Sequence, residues 1–479
     1  MRKIVAVLAS TSAVALLFFV YYVVKPNDAN DEPSMQKAST RPNIVFIMTD
    51  DMPKGLWRTM PTLRNRVVAQ GVRFTNAYVT QSLCCPSRAT VLTGKYPHNH
   101  GITSNYPPDG GEAKFRSSAQ DQDTIATRMH AAGYRTALIG KYMNGYAGEY
   151  EPPGWSNWYA QAGTGTVNDN GRTVDSSGSF PVTIANRAQA FLDRATDQAG
   201  DPPFMLFYWT NQPHSGHLAP PGYRDLFGDA KLPRPPSFNE ADVSDKPAYI
   251  KNLPSLTQDQ IDWLEVGHKR QLRDLAHVDD TLKNMLELLK DRGELANTYV
   301  VFATDNGEHM GEHRYMVPSG SKSTPYEEAA STPLIIRGPG VAHGVMRTQL
   351  VANNDYAPTF AAWAGASPPE GVDGRPITPV LSATPPASWR TVLLNERNLV
   401  KSDRSPTPNY EALFTAYGKR YVEYDTGEKE LYDLRTDPYE LANGYDPSAP
   451  PSDLVSGLQA LKGCRAGTAV TCQAAEDGR

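Results

Sequence analysis

The chain has 479 residues, 40% hydrophobic, 21% charged and 9% aromatic, proportions that bury a large core and exclude a disordered or fibrous protein. Lys and Arg number 47 against 52 Asp and Glu, a net charge of −5, which leaves no broad basic field for a nucleic-acid backbone. Four cysteines are too few for a disulfide scaffold and too unevenly spaced for a zinc ribbon.

Arg2 and Lys3 precede an uncharged run from Ile4 to Val24, which as a helix reaches roughly 30 Å, the hydrocarbon thickness of a bilayer. A cleaved signal peptide would end in small residues; this run ends Phe18-Phe19-Val20-Tyr21-Tyr22-Val23-Val24, with two tyrosines suited to an interfacial belt. Residues 1–24 are therefore expected to anchor the chain in a membrane, with a cleaved signal segment as the alternative. Either way the remainder is expected to be extracytoplasmic, tethered or secreted. Residues 25–41 are polar, carry Pro26 and Pro33, and read as a linker. Export makes Cys464 and Cys472 a candidate disulfide. Cys84 and Cys85 need another explanation, because adjacent cysteines bridge only with strain.

Beyond the linker, Asn43 to Thr49 is a short apolar run, as in a strand buried on both faces, and it stops at Asp50-Asp51. Helical stretches are expected over Thr62–Ala69 and Ser87–Thr93. Strands are expected over Arg135–Ile139, ending at Gly140-Lys141, and over Phe204–Trp209, ending near Pro213-His214. A long amphipathic helix over Gln258–Arg292 opens on the capping pair Thr257 and Gln260 and stops at Gly293. Leu275, Val278, Leu282, Met285, Leu286 and Leu289 form its apolar stripe. Thr298–Ala303 is a further strand, leading to Asp305-Asn306. This alternation predicts an α/β fold: a large, mostly parallel sheet flanked by helices, with ligands bound beyond the C-terminal ends of its strands. Short alternating runs at Thr391–Leu394, Ala412–Thr415 and Arg420–Tyr424 predict a smaller C-terminal antiparallel sheet. The expected division is a catalytic domain over 42–386 and a C-terminal subdomain over 387–479. No internal repeat is present.

The segment Leu83-Cys84-Cys85-Pro86-Ser87-Arg88-Ala89-Thr90 is the most informative. Pro86 suits the first turn of a helix, which would put Cys84 just before a helix N-terminus, where free N–H groups favour an anion. Asp50, Asp51, Asp305 and Asn306 offer oxygen donors at the ends of two strands. Such a set suits a hard divalent cation, Ca²⁺, with Mg²⁺ or Mn²⁺ as alternatives. A single Asp-Asp pair is most often a cap or a turn. Asp279-Asp280, inside the long helix where adjacent side chains diverge, is read as structural.

The Cys-x-Pro-Ser-Arg segment resembles the sulfatases of the alkaline-phosphatase superfamily. Thr93 to His100, Lys141-Tyr142-Met143-Asn144, Pro152 to Ser156 and Gly293 to Thr298 are similar to the N-acetylglucosamine-6-sulfatase branch of that family. The resemblance runs, with gaps, from Arg41 to Asn443. It implies that a formylglycine-generating enzyme oxidises Cys84, and that Asp50, Asp51, Asp305, Asn306 and the modified Cys84 form a calcium shell. It further implies that Arg88, Lys141 and Lys322 counter the charge of the sulfate and that His214 stands near the leaving oxygen. One hydroxyl of the hydrated aldehyde would attack sulfur, and the other would release sulfate. Many sulfatases carry a second histidine where this chain has Met143; the glucosamine-6-sulfatase branch also lacks it. His217, His309 and His313 then join His214 as candidate proton donors that sequence does not rank. Leu431-Tyr432-Asp433-Leu434 with Asp437-Pro438 resembles the C-terminal signature of the family.

The implied function is a sulfatase that hydrolyses a sulfate monoester of a carbohydrate or an aryl alcohol. The alternatives are a formylglycine-dependent phosphonate monoester or phosphodiester hydrolase, and an inactive, glycan-binding relative. The expected partners are a sulfated small molecule or glycan, the modifying enzyme and, through residues 1–24, a membrane, but no nucleic acid.

Overall fold

The structure, a computed structural model, describes residues 41–478 apart from 164, 177, 199, 216–218, 318–319, 401–404 and 467–470. The expected anchor at 1–24 and all of the expected linker except Arg41 lie outside the described residues, as does His217. Among the described residues no helix is long and apolar enough to cross a membrane.

The strands in chain order are β1 (Asn43–Asp50), β2 (Val72–Phe74), β3 (Ala77–Tyr78), β4 (Arg135–Gly140), β5 (Asn157–Gln161), β6 (Thr166–Asp169), β7 (Arg172–Asp175) and β8 (Phe204–Pro213). They continue with β9 (Thr298–Thr304), β10 (Ile335–Arg337), β11 (Val345–Arg347), β12 (Val351–Ala352), β13 (Val392–Arg397), β14 (Tyr410–Thr415), β15 (Lys419–Tyr424) and β16 (Lys429–Asp433). Ten of them form one sheet in the order β11-β2-β10-β9-β1-β8-β4-β5-β6-β7. Its centre, β9-β1-β8-β4-β5, is parallel throughout, and antiparallel strands extend it on both sides. The fold is thus α/β with a large, mostly parallel sheet, and β13 to β16 form a separate antiparallel sheet of four strands.

The apolar run of β1 is buried along its whole length, because alternate residues enter different layers. Ile44, Phe46 and Met48 pack with Phe207, Trp209 and Phe360 on one face. Val45 and Ile47 pack on the other with Leu275, Val278, Leu282 and Leu286 of the long helix Gln258–Asp291. That helix begins at Thr257, whose hydroxyl accepts from Gln260 N while the Gln260 side chain accepts from Thr257 N. The small sheet turns Leu393, Ala412, Phe414 and Val422 toward Tyr78, Tyr326 and Leu350 of the main body. Its other face carries Leu394 and Leu413 against the helix Ser452–Lys462, next to the Cys464–Cys472 disulfide.

The stretch from Thr62 is helical as expected but irregular: Leu63–Val67 is a π-helix and Val68–Gln70 a 3₁₀ turn. The hairpin β6–β7 was not anticipated, although Asn170 and Gly171, at φ of 49° and 81°, are the residue pair that a tight hairpin turn selects.

Asp279 leaves the long helix sideways, and its carboxylate accepts from Thr62 N at 2.8 Å and Leu63 N at 2.9 Å. Asp280 is exposed and accepts from the half-buried Tyr223 hydroxyl at 2.8 Å. Asp279→Ala is therefore expected to lose about 1–2 kcal/mol, as for a removed helix cap, and Asp280→Ala less than about 0.5 kcal/mol. Urea unfolding midpoints of the two variants provide the comparison.

Candidate active site

Four neighbouring parallel strands, in the order β9, β1, β8 and β4, deliver their C-terminal ends to one edge of the sheet. Asp50, the last residue of β1, and the residues just past the strand ends, Asp51, Asp305 and Asn306, His214 and Lys141, gather there. Two strand ends are stitched together directly. Asp305 N donates to Thr49 O at 3.1 Å, and Asp51 N donates to Asp305 Oδ1 at 3.1 Å. Asp51 adopts a left-handed backbone, φ 54°, a conformation rarely kept by a non-glycine residue unless its surroundings enforce it.

The helix Cys84–Thr93 points its N-terminus at this edge. It starts earlier than its sequence implies. Ser87 N already reaches Leu83 O, so Cys84 is the first helical residue, where the N–H groups of the opening turn lack intrahelical partners. Cys84 Sγ lies 3.8 Å from both Asp50 Oδ1 and Asp51 Oδ1. Cys85 faces elsewhere: its sulfur accepts from Asn144 N at 3.0 Å, tying down the loop after Lys141.

The carboxylates are matched by cations. Arg88, one turn along the helix, is fully buried. It donates to Asp305 Oδ2 at 2.9 Å, to Asp50 Oδ2 at 3.1 Å and to Lys141 O at 2.8 Å, and its guanidinium lies over the Trp209 ring. Lys141 Nζ pairs with Asp50 Oδ2. Lys322 Nζ sits 2.5 Å from both oxygens of Asp51 and 3.0 Å from Cys84 Sγ. Burial alone would raise the Asp50 and Asp51 carboxyls. Lys141 beside Asp50, Lys322 beside Asp51, and His214 near both outweigh it and hold the two below the usual carboxylate range. The Cys84 thiol goes the other way: burial pushes it far up, more than Lys141 and Lys322 pull it down. As encoded, this sulfur stays protonated at neutral pH and is a poor nucleophile.

His214 Nε2 stands 3.3 Å from Asp51 Oδ2, with 37% of its side chain exposed. It lines a cleft of about 740 Å³ together with Asp50, Lys141, Asn144, Asn211 and Arg224, a size in the usual range for small-molecule sites. Of the other histidines, His309 is buried against Thr324 and His313 against Glu240. Neither is among the cleft-lining residues, so His214 is the described histidine that meets the cleft. Met143 belongs to the apolar core. Asn211 and Arg224 escaped the sequence reading, which followed the charged ends of strands, and Asn144 was read there as part of a motif without a place in the site; Asn211 lies within β8 and Asn144 three residues past Lys141.

A divalent cation fits this set. Asp50, Asp51 and Cys84 bring ligand atoms within 4.8 Å of one another. Asn306 Nδ2 donates to Asp51 Oδ1 at 2.7 Å, leaving Asn306 Oδ1 buried without a hydrogen-bond partner. Carboxylate and amide oxygens are donors for a hard ion such as Ca²⁺.

The sulfatase family profile matches residues 42–366, and one described as N-sulphoglucosamine sulphohydrolase, C-terminal, matches 311–460. The chain belongs to the sulfatase family, the sulfuric ester hydrolases. It is 30% identical to human N-acetylglucosamine-6-sulfatase over 84% of this chain and 81% of that protein. It is equally similar to a putative extracellular sulfatase Sulf-1 homolog of Caenorhabditis elegans, covering 80% of this chain but only 56% of that longer protein. Among solved structures, a complex with the substrate D-glucosamine-2-N,6-O-disulfate superposes with a TM-score of 0.75 at 24% identity, covering 88% of this chain and 97% of that one. The phosphonate monoester hydrolase of Agrobacterium radiobacter gives 0.68 at 20% identity, over 88% and 95%. At these identities the two structures speak for the fold.

Arg88 bridges two buried carboxylates, and removing one partner of such a cluster strands the others without compensation. Arg88→Ala is expected to destabilise the protein by about 3–5 kcal/mol, read from denaturant unfolding. Arg88→Lys should recover only part of this, since an ammonium lacks the planar fork that serves Asp50, Asp305 and Lys141 O together.

Proposed function

We propose that this sulfatase removes an O-linked sulfate from an amino sugar, using Cys84 converted to formylglycine and a Ca²⁺ ion held by Asp50, Asp51, Asp305 and Asn306. The observation that carries the reading is the setting of Cys84. Its sulfur lies 3.8 Å from two aspartates and 3.0 Å from Lys322 Nζ, at a helix start suited to negative charge. The choice of an amino sugar leans on the human N-acetylglucosamine-6-sulfatase and on the neighbour bound to D-glucosamine-2-N,6-O-disulfate.

When present, the hydrated aldehyde supplies an oxygen nucleophile and the ion supplies Lewis-acid stabilisation. The chain's own groups do the rest. Lys141, at the cleft wall, and Lys322, below it, offer ammonium groups to the sulfate oxygens. Arg88 is locked between Asp50 and Asp305 and holds both carboxylates in place, one of them with an oxygen 3.8 Å from Cys84 Sγ. In the unloaded site Arg88, Lys141 and Lys322 offset Asp50, Asp51 and Asp305, so a bound divalent ion leaves a surplus of positive charge for an anionic ester. His214 Nε2, at the open side, donates a proton to the departing sugar hydroxyl. The extracellular sulfatase relatives of Caenorhabditis elegans and Drosophila melanogaster favour an exported enzyme. We place its maturation with a formylglycine-generating enzyme and its tether, if retained, in residues 1–24.

Cys84→Ala is expected to abolish sulfate release while leaving the unfolding transition in place. Mass spectrometry of the native peptide spanning Cys84 should show an aldehyde in place of the thiol. An unmodified thiol in the native host, with sulfated sugars still bound, would turn the assignment to a non-catalytic glycan binder. Faster turnover of phosphodiesters than of sugar sulfates would turn it to the hydrolase alternative.

His214→Ala should slow a sugar sulfate by about 10²-fold or more, as for loss of a general acid. It should have far less effect on a nitrophenyl sulfate, whose leaving group needs no proton. Equal losses on both substrates would remove His214 from that role. Chelation should silence the wild-type enzyme, and added Ca²⁺ should restore it.

A further inference from the structure

Behind the active site lies a second group of donor side chains that the proposed chemistry does not use. His313 follows Asn306 by one loop, Glu328 sits in the short helix Glu327–Ala330 beyond Lys322, and Glu440 follows β16. Their ligand atoms all lie within 4.8 Å of one another, and all three residues are buried.

The imidazole of His313 is fully buried. Its Nδ1 stands 2.7 Å from Glu240 Oε2. With Nδ1–H donating to that carboxylate, the lone pair of the neutral ring lies on Nε2. A carboxylate behind the ring is the usual arrangement of a metal-binding histidine. Nε2 has no hydrogen-bond partner, and neither has Glu328 Oε2, 3.9 Å away. Two buried polar atoms that face each other beyond hydrogen-bonding range call for a third party.

The surrounding charges leave that place open to a cation. Glu327 pairs with Lys54 and Arg420, Glu440 with Arg420, and Glu240 with Lys246. Among the described residues no lysine or arginine forms an ion pair with Glu328. Of the three donor residues, Glu328 also lines a second cavity of about 480 Å³, walled further by Lys54, Glu312, His268 and Tyr439, whose lining shares no residue with that of the substrate cleft.

We infer that His313, Glu328 and Glu440 form a second divalent-cation site, separate from the Asp50–Asn306 centre. One imidazole nitrogen beside two carboxylates favours a borderline ion of the Zn²⁺ class over Ca²⁺, with water from the cavity completing the shell. Zn²⁺ bonds of about 2.0–2.2 Å in a tetrahedral shell place donors roughly 3.4 Å apart, so His313 Nε2 and Glu328 Oε2, 3.9 Å apart, need to close by about half an ångström. The ion joins the segment after the small sheet to two loops, one following Asn306 and the other carrying Lys322. Its role is to fix the Lys322 loop against the C-terminal lobe. The inference does not depend on the sulfatase reaction.

The test uses the full chain, stripped with chelator and resaturated with Ca²⁺, then titrated with Zn²⁺ by calorimetry. Wild type is expected to bind one equivalent at micromolar affinity or tighter and to gain several degrees in Tm. Glu328→Gln, which keeps size and shape, should weaken that binding at least tenfold and lose the Tm gain. The zinc-edge X-ray absorption spectrum of the wild-type protein should show imidazole scattering, a readout that stands even where a His313 variant fails to fold. No Zn²⁺ uptake by the Ca²⁺-saturated wild type, undiminished uptake by Glu328→Gln, or a spectrum without imidazole overturns the site.

Discussion

Three aspartates buried at the edge of one sheet are the constraint around which the molecule is built. Asp50 and Asp305 end neighbouring strands and would repel each other in a medium of low polarity. The Arg88 guanidinium sits between them with no exposed surface, while Lys141 and Lys322 cover Asp50 and Asp51. A buried ion-pair cluster of this kind adds little net stability over an apolar core of equal volume. Its value is positional: it fixes carboxylate oxygens, a helix terminus and a lysine loop with respect to one another.

Parallel strands make the arrangement possible. In β9-β1-β8-β4 the carboxyl ends lie side by side, so residues more than two hundred positions apart in the chain meet without any loop having to cross the sheet. Both faces of β1 are sealed, by the long helix on one side and by the layer containing Phe207 and Phe360 on the other. The small antiparallel sheet contributes from behind: Arg420 on β15 bonds Glu327 at 2.6 Å and Glu440 at 2.7 Å, bracing the turn that follows the Lys322 loop.

The histidines divide by solvent access. His214 is open to the cleft, whereas burial pushes His309 far down and His313 down to about 3, leaving both neutral and out of reach of a departing alcohol. Met143 is part of the apolar core and offers no proton. Of these three histidines, only His214 is both exposed and part of the cleft lining, and the buried pair is free for structural work.

The sequence by itself determined the periodic elements and the residues that end them. The β1 run and the long helix, whose apolar stripe recurs at helical spacing, were legible because a buried strand and an amphipathic helix impose their periods on the order of residues. Asp50-Asp51, Lys141, His214 and Asp305-Asn306 stood out because polar residues cut off apolar runs there. Tertiary structure decided what those patterns do not encode: that β1 lies between β8 and β9, that Lys322 from a distant loop reaches Cys84, and that Asp279 caps a turn while Asp50 faces the site. It also decided that Arg224 and Asn211 line the cleft and that His313, Glu328 and Glu440 meet. These are contacts between segments far apart in the chain, selected by how surfaces pack and how buried charges are matched. Local periodicity carries no record of either.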